Sequence, residues 1–290
     1  MKNDTNSKKN GRCLFILRQS LAGLLFFILF VPVDQGMAAP KPDLWPVWEK
    51  HDPQSALKVD YRPWAMFLEK YLVVDAGGVN LVDYGAVTAV DRTLLADFIQ
   101  EMAETPVSRL RREEQKAYWI NLYNALTLKV IQDHYPVDSI RDIDISPGFF
   151  SDGPWGKKLL SIEGREVSLN DIEHRILRPV FKDNRVHYAL NCASIGCPQL
   201  QSVPFTAQNM NALLNQAGRE FVNDPRGVKI ENGALTVSSI YSWFEQDFGK
   251  NEQEVIAHLR SFADQGLERQ LENFDSIDRD QYDWALNRSR

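Results

Sequence analysis

Arg112-Glu-Glu-Gln-Lys-Ala-Tyr-Trp-Ile-Asn-Leu-Tyr-Asn-Ala-Leu-Thr-Leu-Lys-Val-Ile-Gln-Asp-His-Tyr135 is the stretch around which this chain organises itself. It opens acidic, with Glu113 and Glu114 where a helix N-terminus favours negative charge, and it runs up to Pro136, before which helices stop. Residues 117–128 are apolar on nearly every face, so the stretch predicts a central helix enclosed by protein on all sides. Asn121 and Asn124 are three apart and share a face with Ala117 and Leu128. Both amides therefore lie against the core, where an unpaired amide costs about 1–3 kcal/mol, and each needs a designed partner. That partner is either the backbone of a neighbouring loop or a reacting group. Asn124, the deeper of the two, is the candidate for orienting a histidine or donating to an oxyanion.

Outward from this helix the punctuation is regular. Residues 45–56 read as a first helical segment, and residues 63–73 as a helix opening at Pro63 with Trp64, Phe67, Leu68 and Tyr71 on one side. Gly77-Gly78 marks a turn, and residues 91–103 form an amphipathic helix with Asp91 as its N-cap. Downstream, residues 157–167 and 228–235 predict hairpins around Glu163-Gly164 and Asn232-Gly233. Helices are predicted over 169–181 (interrupted at Pro179), 211–222, 237–248 and 253–262. Helices first and hairpins mixed with helices later predict an α+β fold, a helical N-terminal half packed on a small antiparallel sheet of hairpins. Residues 39–78 then form a helical lead-in and 79–290 a single α+β domain.

Arg185-Val-His-Tyr-Ala-Leu-Asn-Cys-Ala-Ser-Ile-Gly-Cys-Pro198 concentrates the chemistry, holding one of five histidines and two of three cysteines. Residues 186–190 read as a buried strand that breaks into a turn of small residues. Strand alternation would point His187, Ala189 and Asn191 one way and Tyr188, Leu190 and Cys192 the other. His187 and Cys192 then meet only if the chain turns at Asn191. Cys192 and Cys197 form either a disulfide, worth about 2 kcal/mol for so small a loop, or a pair in which Cys192 is a thiolate activated by histidine. A reversible redox pair is a third reading, although the spacing is not Cys-x-x-Cys. Ahead of this stretch, Glu173 is placed to orient a histidine, and the loop 146–156, with Phe149, Phe150 and Trp155, to cover a pocket.

The N-terminus reads as an export signal: Lys2, Lys8, Lys9, Arg12 and Arg18, then the apolar run 21–33, then Gly36-Met37-Ala38. The apolar run is shorter than the roughly 20 residues of a membrane span, so cleavage and a periplasmic destination without a stable span are expected. Cleavage after Ala38 removes five basic and two acidic side chains and leaves 252 residues at a formal charge of −9. That balance argues against nucleic acid as a partner. Only Cys192 and Cys197 remain, an even pair in an oxidising compartment. There is no His-Glu-x-x-His, phosphate-binding glycine loop or Gly-x-Ser-x-Gly, and the histidines are too scattered for a zinc set, so neither metal nor cofactor is expected.

Four blocks in order, Tyr118-Trp-Ile-Asn-Leu-Tyr-Asn-Ala125, Ile172-Glu-His-Arg-Ile-Leu-Arg178, His187-Tyr-Ala-Leu-Asn-Cys-Ala-Ser194 with Cys197-Pro198, and Tyr282-Asp-Trp-Ala-Leu-Asn287, resemble the bacterial branch of the "domain of unknown function 547" family. The resemblance spans about residues 79–287 and implies that Asn121, Asn124, His187, Asn191, Cys192 and Cys197 are motif positions, without naming a reaction. The layout is also similar to papain-like and transglutaminase-like folds, whose nucleophile sits on a helix. Here the corresponding helix carries Asn124 and no cysteine.

Two functions follow. One is a periplasmic hydrolase or acyl-transferase, thiol- or His-dependent, with His187 as base, Cys192 as nucleophile and Asn124 as orienter. The other is a non-catalytic module binding a peptide, glycan or small molecule, with Asn121, Asn191, Ser194, Glu173 and Trp155 around a turn closed by a Cys192–Cys197 disulfide.

Overall fold

The computed structural model describes residues 40–148 and 153–289. The expected export signal and Phe149-Phe150 lie outside these residues. The architecture is α+β, 49% helical and 11% strand, so helices carry the packing and the sheets are local. In chain order come α1 (Arg62–Tyr71), β1 (Leu72–Val74), β2 (Asn80–Val82), α2 (Ala89–Glu104), α3 (Arg112–His134), β3 (Leu160–Ile162) and β4 (Arg165–Val167). A π-helix, Asp171–Phe181, and a single 3-10 turn, Asn184–Tyr188, precede α4 (Met210–Val222). Then follow β5 (Val228–Glu231), β6 (Ala234–Ser238), α5 (Ser239–Trp243), α6 (Glu245–Phe248), α7 (Glu252–Phe262), α8 (Gln265–Leu271) and β7 (Arg279–Gln281).

α3 is the enclosed helix its composition predicts, with every residue from 114 to 128 buried. Its polar side chains are spent on neighbouring backbone. Tyr118 donates its hydroxyl to the Met102 carbonyl at 2.8 Å, and Gln115 donates to the Val107 and Lys50 carbonyls at 2.8 Å each. Trp48 of the lead-in packs edge-on to Trp119 at 5.0 Å, and Trp64, Phe67 and Tyr71 join the same core. The boundary drawn at Gly78 falls in the turn of the β1–β2 hairpin.

Other elements differ from expectation for local reasons. α2 starts at Ala89 because Thr88, not Asp91, caps it, accepting from the Asp91 N–H at 3.1 Å. The helix expected over 45–56 is one 3-10 turn, Pro46–Glu49. Pro179 does not interrupt its helix, which continues to Phe181. The hairpins at Glu163-Gly164 and Asn232-Gly233 form as predicted, the latter with both turn residues at positive φ (54° and 77°) as a type I′ turn demands. The third strand of that sheet, β7, pairs with β6 in parallel, so the sheet is not purely antiparallel.

The buried strand expected over 186–190 is a correction. Asp183 caps a helical turn there, accepting from the Arg185 N–H at 3.1 Å, and Ala189 N–H donates to the Val186 carbonyl at 2.9 Å. The Asp-Asn start outweighs the strand preference of Val-His-Tyr. This turn straddles a seam between two apolar clusters. Tyr188 packs with α4, β6 and α7, while Ala189 and Leu190 pack with α3.

The chain end closes this region. Ile195 and Gly196 N–H groups donate to the Ala285 and Asp283 carbonyls at 2.8 Å each, and Asn287 N–H to the Ala193 carbonyl at 3.0 Å. Asn287 is buried and accepts the Tyr84 hydroxyl at 2.7 Å. A Cβ at Gly196 would stand 2.7 Å from the Asp283 backbone nitrogen and 3.0 Å from its carbonyl oxygen, so no side chain fits. Gly196→Ala is therefore expected to cost about 1–3 kcal/mol, the range of overpacking, read as a lower urea midpoint with hydrogen exchange accelerated at Ala285 and Asn287.

Candidate functional site

The two asparagines of α3 build the platform. Asn124 donates from Nδ2 to the Ala189 carbonyl and accepts the Asn191 N–H at Oδ1, both at 2.9 Å. Asn121 does the same for Phe205, donating to its carbonyl at 2.7 Å and accepting its N–H at 3.0 Å. Both ends of each amide bond backbone, the first of the two kinds of partner expected for them. Asn124 fixes the backbone that leads into Cys192. Asn191 continues the scaffold, with Oδ1 accepting Ala193 N–H (2.9 Å) and Asn287 Nδ2 (3.2 Å), and Nδ2 donating to the Pro198 carbonyl at 2.9 Å. Ala193 turns the corner at φ 62°.

His187 is buried and held between carboxylates. Its Nε2 lies 2.8 Å from Asp247 Oδ2, and its Nδ1 faces Glu173 Oε1 at 3.8 Å. The ring stacks on Phe244 with centroids 4.2 Å apart. Arg178 Nε donates to the same Asp247 oxygen at 2.5 Å, and its Nη1 donates to the Pro40 carbonyl and to His174 Nδ1. Burial would raise the Asp247 pKa, but hydrogen bonds from His187 and Arg178 and their charges outweigh it and hold the carboxyl at about 2. A guanidinium can only donate, so His174 Nδ1 is unprotonated, in keeping with a pKa that burial and then Arg178 lower against the pull of Glu173.

The cysteines form a separate group. Their sulfurs lie at disulfide distance, with Cα atoms 6.3 Å apart. The Cys192 sulfur meets Ser194 Oγ at 3.0 Å and the Tyr282 hydroxyl at 3.1 Å, while the Cys197 sulfur meets that hydroxyl at 3.0 Å and the Cys192 N–H at 2.9 Å. Neither nitrogen of His187 bonds a cysteine. Burial and, more weakly, the Glu173 carboxylate push the Tyr282 phenol up, so its hydroxyl keeps its proton. Glu173 also raises Tyr123, after burial.

Beside the cysteines stands a cluster of rings. Tyr282 and Trp284 are 4.6 Å apart, Trp243 lies 4.8 Å from Tyr282 and 5.6 Å from Trp284, and Trp155 meets Trp284 edge-on at 5.7 Å. All four are partly exposed. They come from both sides of the seam, where ligand sites commonly form. A cavity of about 170 Å³ lined by Lys58, Asp60, Phe98 and Met102 shares none of these residues. Among the described residues, no three His, Cys, Asp or Glu side chains are arranged to hold a metal ion, and no helix is long and apolar enough to cross a membrane.

The family model described as "Protein of unknown function, DUF547" matches residues 107–222. That segment belongs to the DUF547 family. No curated protein and no solved structure matches the chain. The DUF547 segment holds α3, the π-helix, the cysteine turn and α4. It ends before Trp243, Asp247, Tyr282, Trp284 and Asn287, which complete the geometry. Arg178, Asp247, Tyr282, Trp243 and Trp284 are the partners that residue-by-residue reading had not singled out. Arg178 and the 282–287 block could have been found within the family resemblance, whereas Trp243 and Asp247 carry no local signal.

His258 offers a pH test of this half of the molecule. Its Nε2 meets the Tyr188 hydroxyl at 2.7 Å, and burial, then the nearby His187, push its pKa down to about 4 from 6.5. The unfolded chain binds the proton more tightly, so stability is whole above pH 6.5 and falls as pH drops towards 4. His174 acts in the same direction. The urea midpoint should fall across that window, and His258→Gln should flatten the decline.

Proposed function

We propose that the chain is an exported, non-catalytic binding protein for a glycan, received on the rings of Trp155, Trp243, Tyr282 and Trp284. The observation that carries this reading is the four-ring cluster, partly exposed, in which Trp243, Tyr282 and Trp284 touch one another and Trp155 touches Trp284. Aromatic faces supply rigid apolar area against the C–H faces of a sugar. In this reading Cys192 and Cys197 are disulfide-bonded and shape the turn against which Tyr282 rests. Export is supported by the basic, apolar and small-residue segments of 1–38.

A thiol hydrolase is the weaker reading because the imidazole and the cysteine it would activate face different partners. His187 is spent on Asp247 and Glu173, and Cys192 meets Ser194, Tyr282 and Cys197. A nucleophile and its base need hydrogen-bond reach of about 2.6–3.2 Å.

Tryptophan fluorescence, titrated with neutral and N-acetylated oligosaccharides and with a mixed peptide pool, tests the ligand. Saturable change with an oligosaccharide is expected, and Trp243→Ala or Trp284→Ala should weaken it about tenfold or more, as for buried aromatic anchors. A response to peptides alone would overturn the glycan assignment. Intact mass of the secreted protein tests the rest: 252 residues, and no alkylation until a reductant is added. Two alkylations without reductant would remove the disulfide and restore the thiol reading.

A further inference from the structure

We infer that the Cys192–Cys197 pair is an exchangeable disulfide that accepts two electrons from a dithiol, with Cys192 the sulfur attacked and Cys197 the leaving thiolate. The inference needs the pair to form a disulfide, but not the glycan site.

Hydrogen-bond donors around the sulfurs carry it. The Cys197 sulfur receives the Cys192 N–H at 2.9 Å and the Tyr282 hydroxyl at 3.0 Å, with Ser194 Oγ at 3.6 Å. The hydroxyls of Ser194 and Tyr282 have no hydrogen-bond partners among the described residues except these sulfurs and each other, at 3.1 Å. Ser194 is 1% exposed, so its hydroxyl has no water to turn to. A disulfide sulfur is a feeble acceptor, and buried hydroxyls aimed at one are poorly satisfied. A thiolate at the same place accepts charge-assisted bonds that are about twice as strong as neutral ones. The donor set therefore favours the reduced state over the oxidised one, which is what makes a disulfide oxidising. The Arg226 guanidinium, bonded to the Ile195 and Cys197 carbonyls at 3.1 and 3.3 Å, adds positive charge beside the loop, opposed by Asp224 and Glu173.

Access and mechanical support fit the same assignment. Cys192 is partly exposed and Cys197 is 4% exposed, so an incoming thiolate reaches Cys192. It forms an S–S bond to Cys192, the Cys192–Cys197 bond breaks, and Cys197 leaves with the electron pair. The reductant's second thiolate then attacks the mixed disulfide at its own sulfur, releasing Cys192 as thiolate. The reductant ends as a disulfide, and the two protons its thiols gave up go to the cysteines or to solvent. The turn keeps its shape through Asn191 and the backbone bonds to Asp283, Ala285 and Asn287. The bond can therefore open without unfolding the domain.

The test is a glutathione redox titration of the secreted protein, approached from both the oxidised and the reduced side, read by alkylation and intact mass with circular dichroism alongside. Dithiol and disulfide are expected to coexist in comparable amounts within the range that glutathione buffers can set, with a folded spectrum throughout. Tyr282→Phe keeps the ring and removes the donor, so it should shift the equilibrium about tenfold towards disulfide, about 30 mV more reducing. Ser194→Ala should shift it the same way. A wild-type disulfide that stays fully oxidised in every glutathione buffer, as structural ones do, would overturn the inference. So would unfolding on reduction, or both variants remaining within twofold of the wild type. The oligosaccharide titration reads the glycan site separately, so either can fail without the other.

Discussion

A buried amide without partners costs about 1–3 kcal/mol, and α3 carries Asn121 and Asn124 where no water reaches them. The backbone of Phe205 and of residues 189–191 satisfies all four amide ends. Loops that could have taken many paths are thus bound to one helix at fixed points. Everything that follows in the chain, from the cysteine turn to the Asn287 contacts, is placed relative to those clamps. Because α3 is enclosed on every face, its polar residues serve as addresses for the segments around it rather than as a wet surface.

The second organising feature is the seam between the two apolar clusters. His187 lies in it, linking the π-helix through Glu173 to α6 through Asp247, with Arg178 of the π-helix donating to the same carboxylate oxygen. Breaking such a buried pair by removing one partner strands a charge, which is more costly than the pair is stabilising. Arg178 and His187 share one Asp247 oxygen, so the charge network acts as a latch across the seam, while the ring cluster spans it at the partly exposed surface.

Much of this was legible because it is local. The α3 stretch announces its burial by composition, and Asn232-Gly233 announces a hairpin by the φ angles it permits. The turn 184–188 was misread as a strand because Val-His-Tyr-Ala-Leu favours strands, while its helical start is set by Asp183 just upstream. β7 was missed because Arg-Asp-Gln is exposed along its length and has no alternation to betray it. At the site, His187, Cys192 and Cys197 stood out by residue type. Their partners Asp247 and Tyr282 lie 60 and 85–90 residues away, respectively; no local pattern marks Asp247, and the block that opens at Tyr282 does not say what it touches. For Asn124 the sequence leaves two kinds of partner open, because a residue's type shows what it can bond, not what lies opposite.

Residues 282–288 hold the cysteine turn from the far end of the chain, with Gly196 pressed against Asp283 and Asn287 bound to Ala193. Until residues 282–287 arrive, the turn lacks its outer wall and Tyr282 is not yet over the sulfurs. During synthesis Cys192 and Cys197 are therefore made about ninety residues before their environment exists. A nascent chain in which domains fold as their residues emerge presents two open thiols to whatever oxidant it meets, and the Tyr282 hydroxyl reaches them only about ninety residues later.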